Sequence, residues 1–136
     1  MKAPPSLSIG QVAREAGLRA SAIRYYEQAG ILPAPTRVAG RRRYDGAVLE
    51  VVDLIRLAQR AGFTIKEVRT LLYGFRHSTP ASERWRRMAE QKIAELSARI
   101  AEAERMRDLL QLLNQCDCET LGECVRPQLV KLTRRR

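Results

Sequence analysis

The chain has 136 residues, which is enough for one compact domain and an extension. It carries 25 Lys and Arg against 15 Asp and Glu, a formal charge of +10, and 21 of the 25 are Arg. Arg suits forked contacts with phosphate and guanine. No run approaches the ~20 consecutive apolar residues of a membrane span, and residues 1–5 lack the apolar run that is typical of a signal peptide. We therefore expect no membrane association and no secretion.

The composition offers little for catalysis, and we predict that the protein is not an enzyme. It has a single His, no Gly-rich phosphate loop and no nucleophile elbow. Three cysteines are an odd number and form no disulfide framework, which favours a cytoplasmic location. Strand signals are nearly absent, so the predicted fold class is all-α.

The first predicted elements are two short helices. A capping box, Ser-x-x-Gln at 8–11, opens a helix that ends before Gly17. A second helix is predicted over 20–28, and Gly30 then stands where a left-handed C-terminal cap belongs. Two short helices across a Gly-containing turn are the outline of a helix-turn-helix.

A turn and two further helices are predicted next. The residues on either side of Gly40 are able to pair as a small ribbon. Asp45 is predicted to cap a third helix that runs to Ala61. A second capping box, Thr-x-x-Glu at 64–67, opens a fourth helix that is expected to end near Phe75.

A long helix is predicted over 81–113, because no Gly or Pro interrupts it. At 1.5 Å per residue it measures ~50 Å. Its apolar residues recur at intervals of three, four and seven: Trp85, Ala89, Ile93, Leu96, Ile100, Ala103, Leu110 and Leu113. A domain of about 75 residues is too small to cover this stripe, whereas a second copy would cover it in a two-stranded coiled coil. Periodicity therefore predicts a homodimer.

The positive charge is concentrated in the first part of the chain. Residues 1–76 carry 13 Lys and Arg against 6 acids, a net +7, and residues 77–136 carry 12 against 9, a net +3. Three consecutive arginines at 41–43 lie near the predicted helix-turn-helix, and Arg19 and Arg24 lie on or beside its second helix. A basic run alone is usually a solvated loop, but this combination in a dimer predicts DNA binding.

Several short motifs carry a family resemblance. They are IGQVA at 9–13, AIRYYE at 22–27, GIL at 30–32, RRY at 42–44 and AGFTI at 61–65. Together they resemble the MerR family of bacterial transcription regulators. The resemblance implies a winged helix-turn-helix DNA-binding domain over 7–76 and a long antiparallel coiled-coil dimerisation helix over 79–113. It also implies a mechanism: the dimer binds a palindrome in double-stranded promoter DNA, and effector binding untwists and kinks that DNA so that RNA polymerase engages both promoter elements.

The motifs and the basic residues together predict the DNA contacts. The predicted residues are Arg19, Ser21, Arg24, Tyr25, Tyr26, Arg42, Arg43, Tyr44 and Arg60. Arg24 is expected to bind a guanine edge or a phosphate, and Arg42 and Arg43 to grip the backbone or minor groove. One of Tyr25 and Tyr26 is expected to offer its hydroxyl to phosphate and the other its ring to the core. Arg19 stands where the family often has Ser or Thr, so the second helix is expected to lack a side-chain cap, at a cost of ~1 kcal/mol.

Three cysteines lie within nine residues after the long helix, as Cys116, Cys118 and Cys124. Acidic and small residues surround them, which is not how a core uses cysteine, so a ligand or redox role is predicted for an effector loop over 114–127. Thiolates are soft ligands and suit copper(I), zinc or similar ions. A basic tail over 128–136 follows and is expected to be solvated.

The resemblance narrows the choice of effector without settling it. Cys116 and Cys124 match the spacing of the copper-efflux subgroup, and Ser82 stands where sensors of divalent metals carry a cysteine. The iron–sulfur branch has a fourth cysteine where this chain has Leu113, so a cluster would be one ligand short. Oxidation of Cys116 with Cys118 or Cys124 is an alternative without metal. A further alternative is that the protein is a coiled-coil adaptor that binds metal.

Overall fold

The computed structural model describes residues 6–124. Its elements are β1 (Ser6–Leu7), α1 (Ile9–Ala16), α2 (Ala20–Gln28), β2 (Thr36–Val38), β3 (Arg41–Asp45), α3 (Val48–Arg60), α4 (Ile65–Tyr73) and α5 (Ala81–Asn114). The described residues divide into two compact units, one that ends at Lys92 and one that begins at Ile93, so the boundary lies within α5. No helix in the described range is long and apolar enough to cross a membrane. Residues 125–127 of the predicted effector loop and the predicted tail over 128–136 lie outside the described residues.

Capping boxes begin two of the helices, as predicted. Ser8 Oγ accepts from the Gln11 amide at 3.2 Å, and the Gln11 side chain accepts from the Ser8 amide at 2.8 Å. Thr64 and Glu67 form the same reciprocal pair at 3.2 and 2.7 Å. Each pair satisfies two amides that have no partner within the helix. The predicted helices at 9–16 and 20–28 are confirmed, and the domain boundaries drawn at 76 and 79 stay predictions.

A small sheet corrects the all-α prediction. Its three antiparallel strands lie in the order β1-β3-β2, with Leu7 paired to Tyr44 and Arg37 to Arg42. The β2–β3 pair is the ribbon predicted around Gly40. Strand β1 has only two residues, and its partner lies far along the chain, so no local pattern announces it. The architecture is a mostly helical winged helix-turn-helix followed by the long helix α5.

The predicted start of the third helix is wrong. Asp45 is the last residue of β3, where its backbone pairs with Ser6, and α3 begins only at Val48. The Asp45 carboxylate accepts from the Ala47 amide at 2.9 Å, so it closes the turn that precedes the helix. Helix α4 also ends at Tyr73, slightly before the predicted end near Phe75.

The core of the first unit is aliphatic. The largest side chains that it buries completely are Val12, Ile23, Ile31, Val52, Ile55 and Val68. On the long helix, Met88 is buried and Trp85 packs against this core, with its ring 6.1 Å from that of Phe63. Burying one such side chain contributes ~1.5–3 kcal/mol. The core therefore holds the helix-turn-helix, the sheet and the first turns of α5 in one unit.

The turn between β2 and β3 is strained at Ala39. Ala39 and Gly40 both have positive φ, +52° and +76°, as in a type I′ turn. A left-handed backbone costs an alanine ~1–2 kcal/mol, whereas Asn tolerates it. We expect Ala39→Asn to raise the free energy of unfolding by about 0.5–1 kcal/mol in thermal denaturation. Gly40→Ala should lower it, and a gain from both substitutions would contradict this account.

Candidate nucleic-acid interface and metal centre

Helix α2 turns one face to the core and one outward. Ile23 and Tyr26, three residues apart, are buried, as expected for neighbours on one helix face. Ser21, Arg24 and Tyr25 are exposed, and Tyr25 keeps 54% of its surface accessible. The helix thus presents a hydroxyl, a guanidinium and an aromatic ring outward together.

The N-terminus of α2 lacks a side-chain cap, as the sequence predicts. Arg19 occupies the N-cap position with an extended backbone, φ −82° and ψ 150°, and its side chain makes no capping hydrogen bond. The residue is exposed. It adds a positive side chain at the helix end that already favours anions.

The structure identifies which tyrosine faces the core. The Tyr26 ring is buried, and its hydroxyl donates to Gln59 Oε1 at 3.1 Å. Tyr44 is only 2% exposed, and its hydroxyl donates to Glu27 Oε2 at 2.9 Å. Of the three predicted tyrosines, therefore, Tyr25 alone has an exposed ring, and the other two support the surface from beneath.

The strand β3 carries the arginines of the wing. Arg41 is exposed, and Arg42 and Arg43 are half-buried. Arg42 Nε lies 3.4 Å from Glu27 Oε2, which joins the wing to the last turns of α2. Arg60 is exposed in the last turn of α3, where a cation is favourable for the helix dipole.

Glu27 was missed by sequence reasoning, although it belongs to the AIRYYE motif. Burial of Tyr44, together with its hydrogen bond and charge interaction with Glu27, raises the pKa of that tyrosine to about 12. Tyr44 is therefore a neutral donor to Glu27 at ordinary pH. The sequence did offer a signal, because Glu27 is an acidic residue among basic ones. A charged side chain that is partly buried needs a hydrogen-bond or ion-pair partner.

The three cysteines of the second unit converge. Their Sγ atoms all lie within 4.8 Å of one another, and those of Cys116 and Cys124 are 3.4 Å apart. All three are free thiols, with Cys116 exposed and the other two half-buried. The end of α5 positions the first, since the Cys116 amide donates to Leu113 O at 3.1 Å. A turn positions the last, since the Cys124 amide donates to Leu121 O at 3.2 Å.

Hydrogen bonds within the cluster make its thiols unequal. The side chain of Cys118 and its amide, 3.4 Å from Cys116 Sγ, lower the pKa of Cys116, and Cys124 lowers it further. Hydrogen bonds with Cys116 and then Cys118 raise the pKa of Cys124 to about 11. Cys116 is therefore the first of the pair to become a thiolate, the form that binds metal.

The spacing of the sulfurs allows one ion to bind two or three of them. A metal–sulfur bond of about 2.3 Å separates two sulfurs by about 3.8 Å in a tetrahedral site, about 4.0 Å in a trigonal one and about 4.6 Å in a linear one. The three sulfurs lie within 4.8 Å of one another, a range that includes all of these separations. Among residues 6–124, no fourth His, Cys, Asp or Glu joins the cluster, and an iron–sulfur cluster normally needs four ligands.

Two family profiles match the chain. One, described as MerR HTH family regulatory protein, matches residues 7–74. The other, described as MerR, DNA binding, matches residues 49–113. Together they span 7–113, the range over which the motifs resemble the family.

Named relatives and solved structures agree with these profiles. The HTH-type transcriptional regulator CueR of Salmonella typhimurium is 34% identical over 124 residues, 87% of each chain. The transcriptional activator SoxR homolog of Chromobacterium violaceum is 30% identical over 120 residues, 88% of this chain and 81% of the relative. The regulator PbrR691 of Ralstonia metallidurans CH34, solved with lead(II), is 28% identical with a TM-score of 0.70, covering 93% of this chain and 98% of its own.

Proposed function

This chain belongs to the MerR family of transcription regulators, and we propose that it acts in the cytoplasm as a homodimer. The proposed dimer binds a promoter palindrome and distorts that DNA when a soft metal ion binds its cysteines. The family consists of DNA-binding regulators, which are not enzymes. The observation that carries the proposal is the convergence of three thiols within 4.8 Å in such a chain.

The proposed DNA contacts come from α2 and the wing. In this proposal α2 enters the major groove with Arg24 on a guanine edge or phosphate, and the exposure of both Arg24 and Tyr25 supports it. Arg42 and Arg43 contact the backbone or minor groove, which fixes position more than sequence. Further backbone contacts are proposed for Arg19, Ser21 and Arg60. We assign Tyr26 and Tyr44 to the support of this surface, because their hydroxyls are bonded within the chain.

The second unit supports dimerisation. In the single chain Ile93, Ile100 and Leu110 of α5 are each between 59% and 64% exposed. They belong to the stripe that recurs at coiled-coil intervals, and a second antiparallel copy would remove it from water. Two DNA-binding units related by a twofold axis then meet two half-sites of a palindrome, about 34 Å apart along the duplex. RNA polymerase is the proposed partner at the distorted promoter.

The proposed effector is a soft metal ion held by Cys116, Cys118 and Cys124. Thiolate ligands select soft ions such as copper(I), zinc and lead(II). All three sulfurs are proposed to bind the ion, because they lie within 4.8 Å of one another. The similar regulator PbrR691 was solved in complex with lead(II), which supports this class of effector.

This function is tested by measuring metal uptake, DNA binding and transcription on the same preparation of the protein. The probe is an inverted-repeat duplex that the wild-type protein selects from a randomised pool, and the ions are copper(I), zinc, cadmium and lead(II) under reducing conditions. We expect a dimer in sedimentation, binding that weakens steeply with salt, and transcription that changes with at least one ion. A duplex with one half-site scrambled is the control. A lone subunit that ignores inverted repeats, or a protein that takes up none of these ions, would contradict the proposal.

A thiol redox-sensing regulator is the second candidate, favoured by the 3.4 Å between Cys116 and Cys124 Sγ. An absorption spectrum of anaerobically purified protein distinguishes the branches: visible bands indicate an iron–sulfur cluster. A colourless, metal-free protein whose DNA function responds to peroxide indicates thiol chemistry. A coiled-coil metal-binding adaptor is eliminated by sequence-specific binding to a palindrome, since it predicts only weak, unspecific attachment.

A further inference from the structure

Glu27 joins the two elements that are proposed to touch DNA. It lies in the last turns of α2, yet both of its described side-chain partners belong to the wing strand β3. Its Oε2 accepts from the Tyr44 hydroxyl at 2.9 Å and lies 3.4 Å from Arg42 Nε. One carboxylate oxygen therefore meets two wing residues that stand on either side of Arg43.

The surroundings make this link hard to replace by water. Tyr44 is almost completely buried, and its raised pKa keeps its hydroxyl a donor. Arg42 Nε is also buried, and within the described chain it makes no hydrogen bond of ordinary geometry. The ion pair with Glu27 is what offsets the cost of burying that nitrogen.

The link also sets the place of the arginine. A guanidinium is always charged, so its attraction to the Glu27 carboxylate, 3.4 Å from Nε, holds the end of the Arg42 side chain beside α2. The Arg42 side chain is still 30% exposed. The guanidinium thus lies beside Glu27, and the exposed part of the Arg42 side chain is available to a phosphate.

We propose that Glu27 is a positioning residue for DNA binding, which holds Arg42 of the wing at a fixed separation from α2 so that both elements engage the same duplex. This inference rests on the proposed function. The role of Glu27 is indirect, because its negative carboxylate gains no binding energy from a negative phosphate. A preorganised contact loses less side-chain freedom on binding than a mobile one.

The rival interpretation predicts the opposite sign. If Glu27 were only an acid near the backbone, its charge would repel phosphate, and neutralising it would tighten binding. If it positions Arg42, the same substitution weakens binding, because the arginine is no longer held beside α2. The sign of the effect of Glu27→Gln therefore separates the two.

The experiment measures the dissociation constant of the full-length protein for the selected inverted-repeat duplex over a range of salt. We expect Glu27→Gln to weaken binding about tenfold. The slope of log affinity against log salt should also become shallower by about 2, because each lost phosphate contact contributes about 0.9 to the slope and a dimer loses two contacts. Glu50→Gln, the same change at an exposed site on α3, should leave both unchanged. Circular dichroism and metal uptake check that the fold and the cysteine site are intact.

Two further variants keep the inference falsifiable if Glu27→Gln is unstable. Tyr44→Phe removes only the hydroxyl and should weaken binding in the same direction. In an Arg42→Gln background, Glu27→Gln should add nothing, because the residue that it positions is gone. Unchanged or tighter binding by Glu27→Gln, with wild-type protein bound normally, overturns the inference. A wild-type protein that binds no inverted repeat overturns the proposed function instead.

Discussion

Replacing Cys116 by Ser is expected to weaken metal binding about 100-fold or more and to abolish the response of transcription to the ion. Cys116 lies 3.4 Å from Cys124 Sγ and accepts from the Cys118 amide, so both other ligands are arranged around it. A hydroxyl is a hard, weak ligand for a soft ion. Equilibrium dialysis against competing chelators measures the affinity, and DNA binding by metal-free protein should be unchanged.

Cys118→Ser then decides how many thiolates hold the ion. With three ligands, its affinity should fall nearly as far as that of Cys116→Ser, and the thiolate-to-metal absorption should change. Ser97→Ala, at an exposed position on the same unit, is the control and should match wild type. If Cys118→Ser binds as tightly as wild type, the three-thiolate assignment is wrong and Cys116 with Cys124 holds a two-coordinate ion.

The features that sequence predicted well depend on neighbours within a few residues. Both capping boxes join residues three apart, so composition and spacing suffice to place the helix starts. The cysteine cluster spans nine residues, and a short loop at a helix end brings such residues together. The apolar stripe of α5 is likewise a property of one helix, which is why its length and exposed face were predicted.

The features that sequence missed depend on partners far along the chain. Asp45 looks like a helix cap locally, but pairing with Ser6 draws its backbone into a sheet. Tyr25 and Tyr26 are chemically alike, and only the packing of α2 against the rest of the core decides that the Tyr26 ring is buried and meets Gln59. Glu27 acquires its place from β3, 17 residues later. Burial, rather than propensity, decides each case.

Arg84, in the first turn of α5, joins that helix to the end of α4 and to the segment between them. Its guanidinium lies 5.8 Å from the ring centre of Phe75. It donates to four backbone carbonyls at 3.0–3.5 Å, those of Leu71, Leu72, Arg76 and Thr79. The last carbonyls of a helix have no partner within it. One side chain thus caps the end of α4 and ties the connecting segment to α5.

Arg84→Met is expected to lower the free energy of unfolding by about 2–4 kcal/mol, because hydrogen bonds to a charged group contribute about 1.5–3 kcal/mol and the carbonyls lose their donor. Arg84→Lys should recover only part of this, since an ammonium cannot reach four carbonyls at once. Urea denaturation measures the effect, with Arg86→Met at an exposed position on the same helix as control, expected within about 0.5 kcal/mol of wild type. Equal stability of Arg84→Met and the control would show that water serves these carbonyls as well as the guanidinium does.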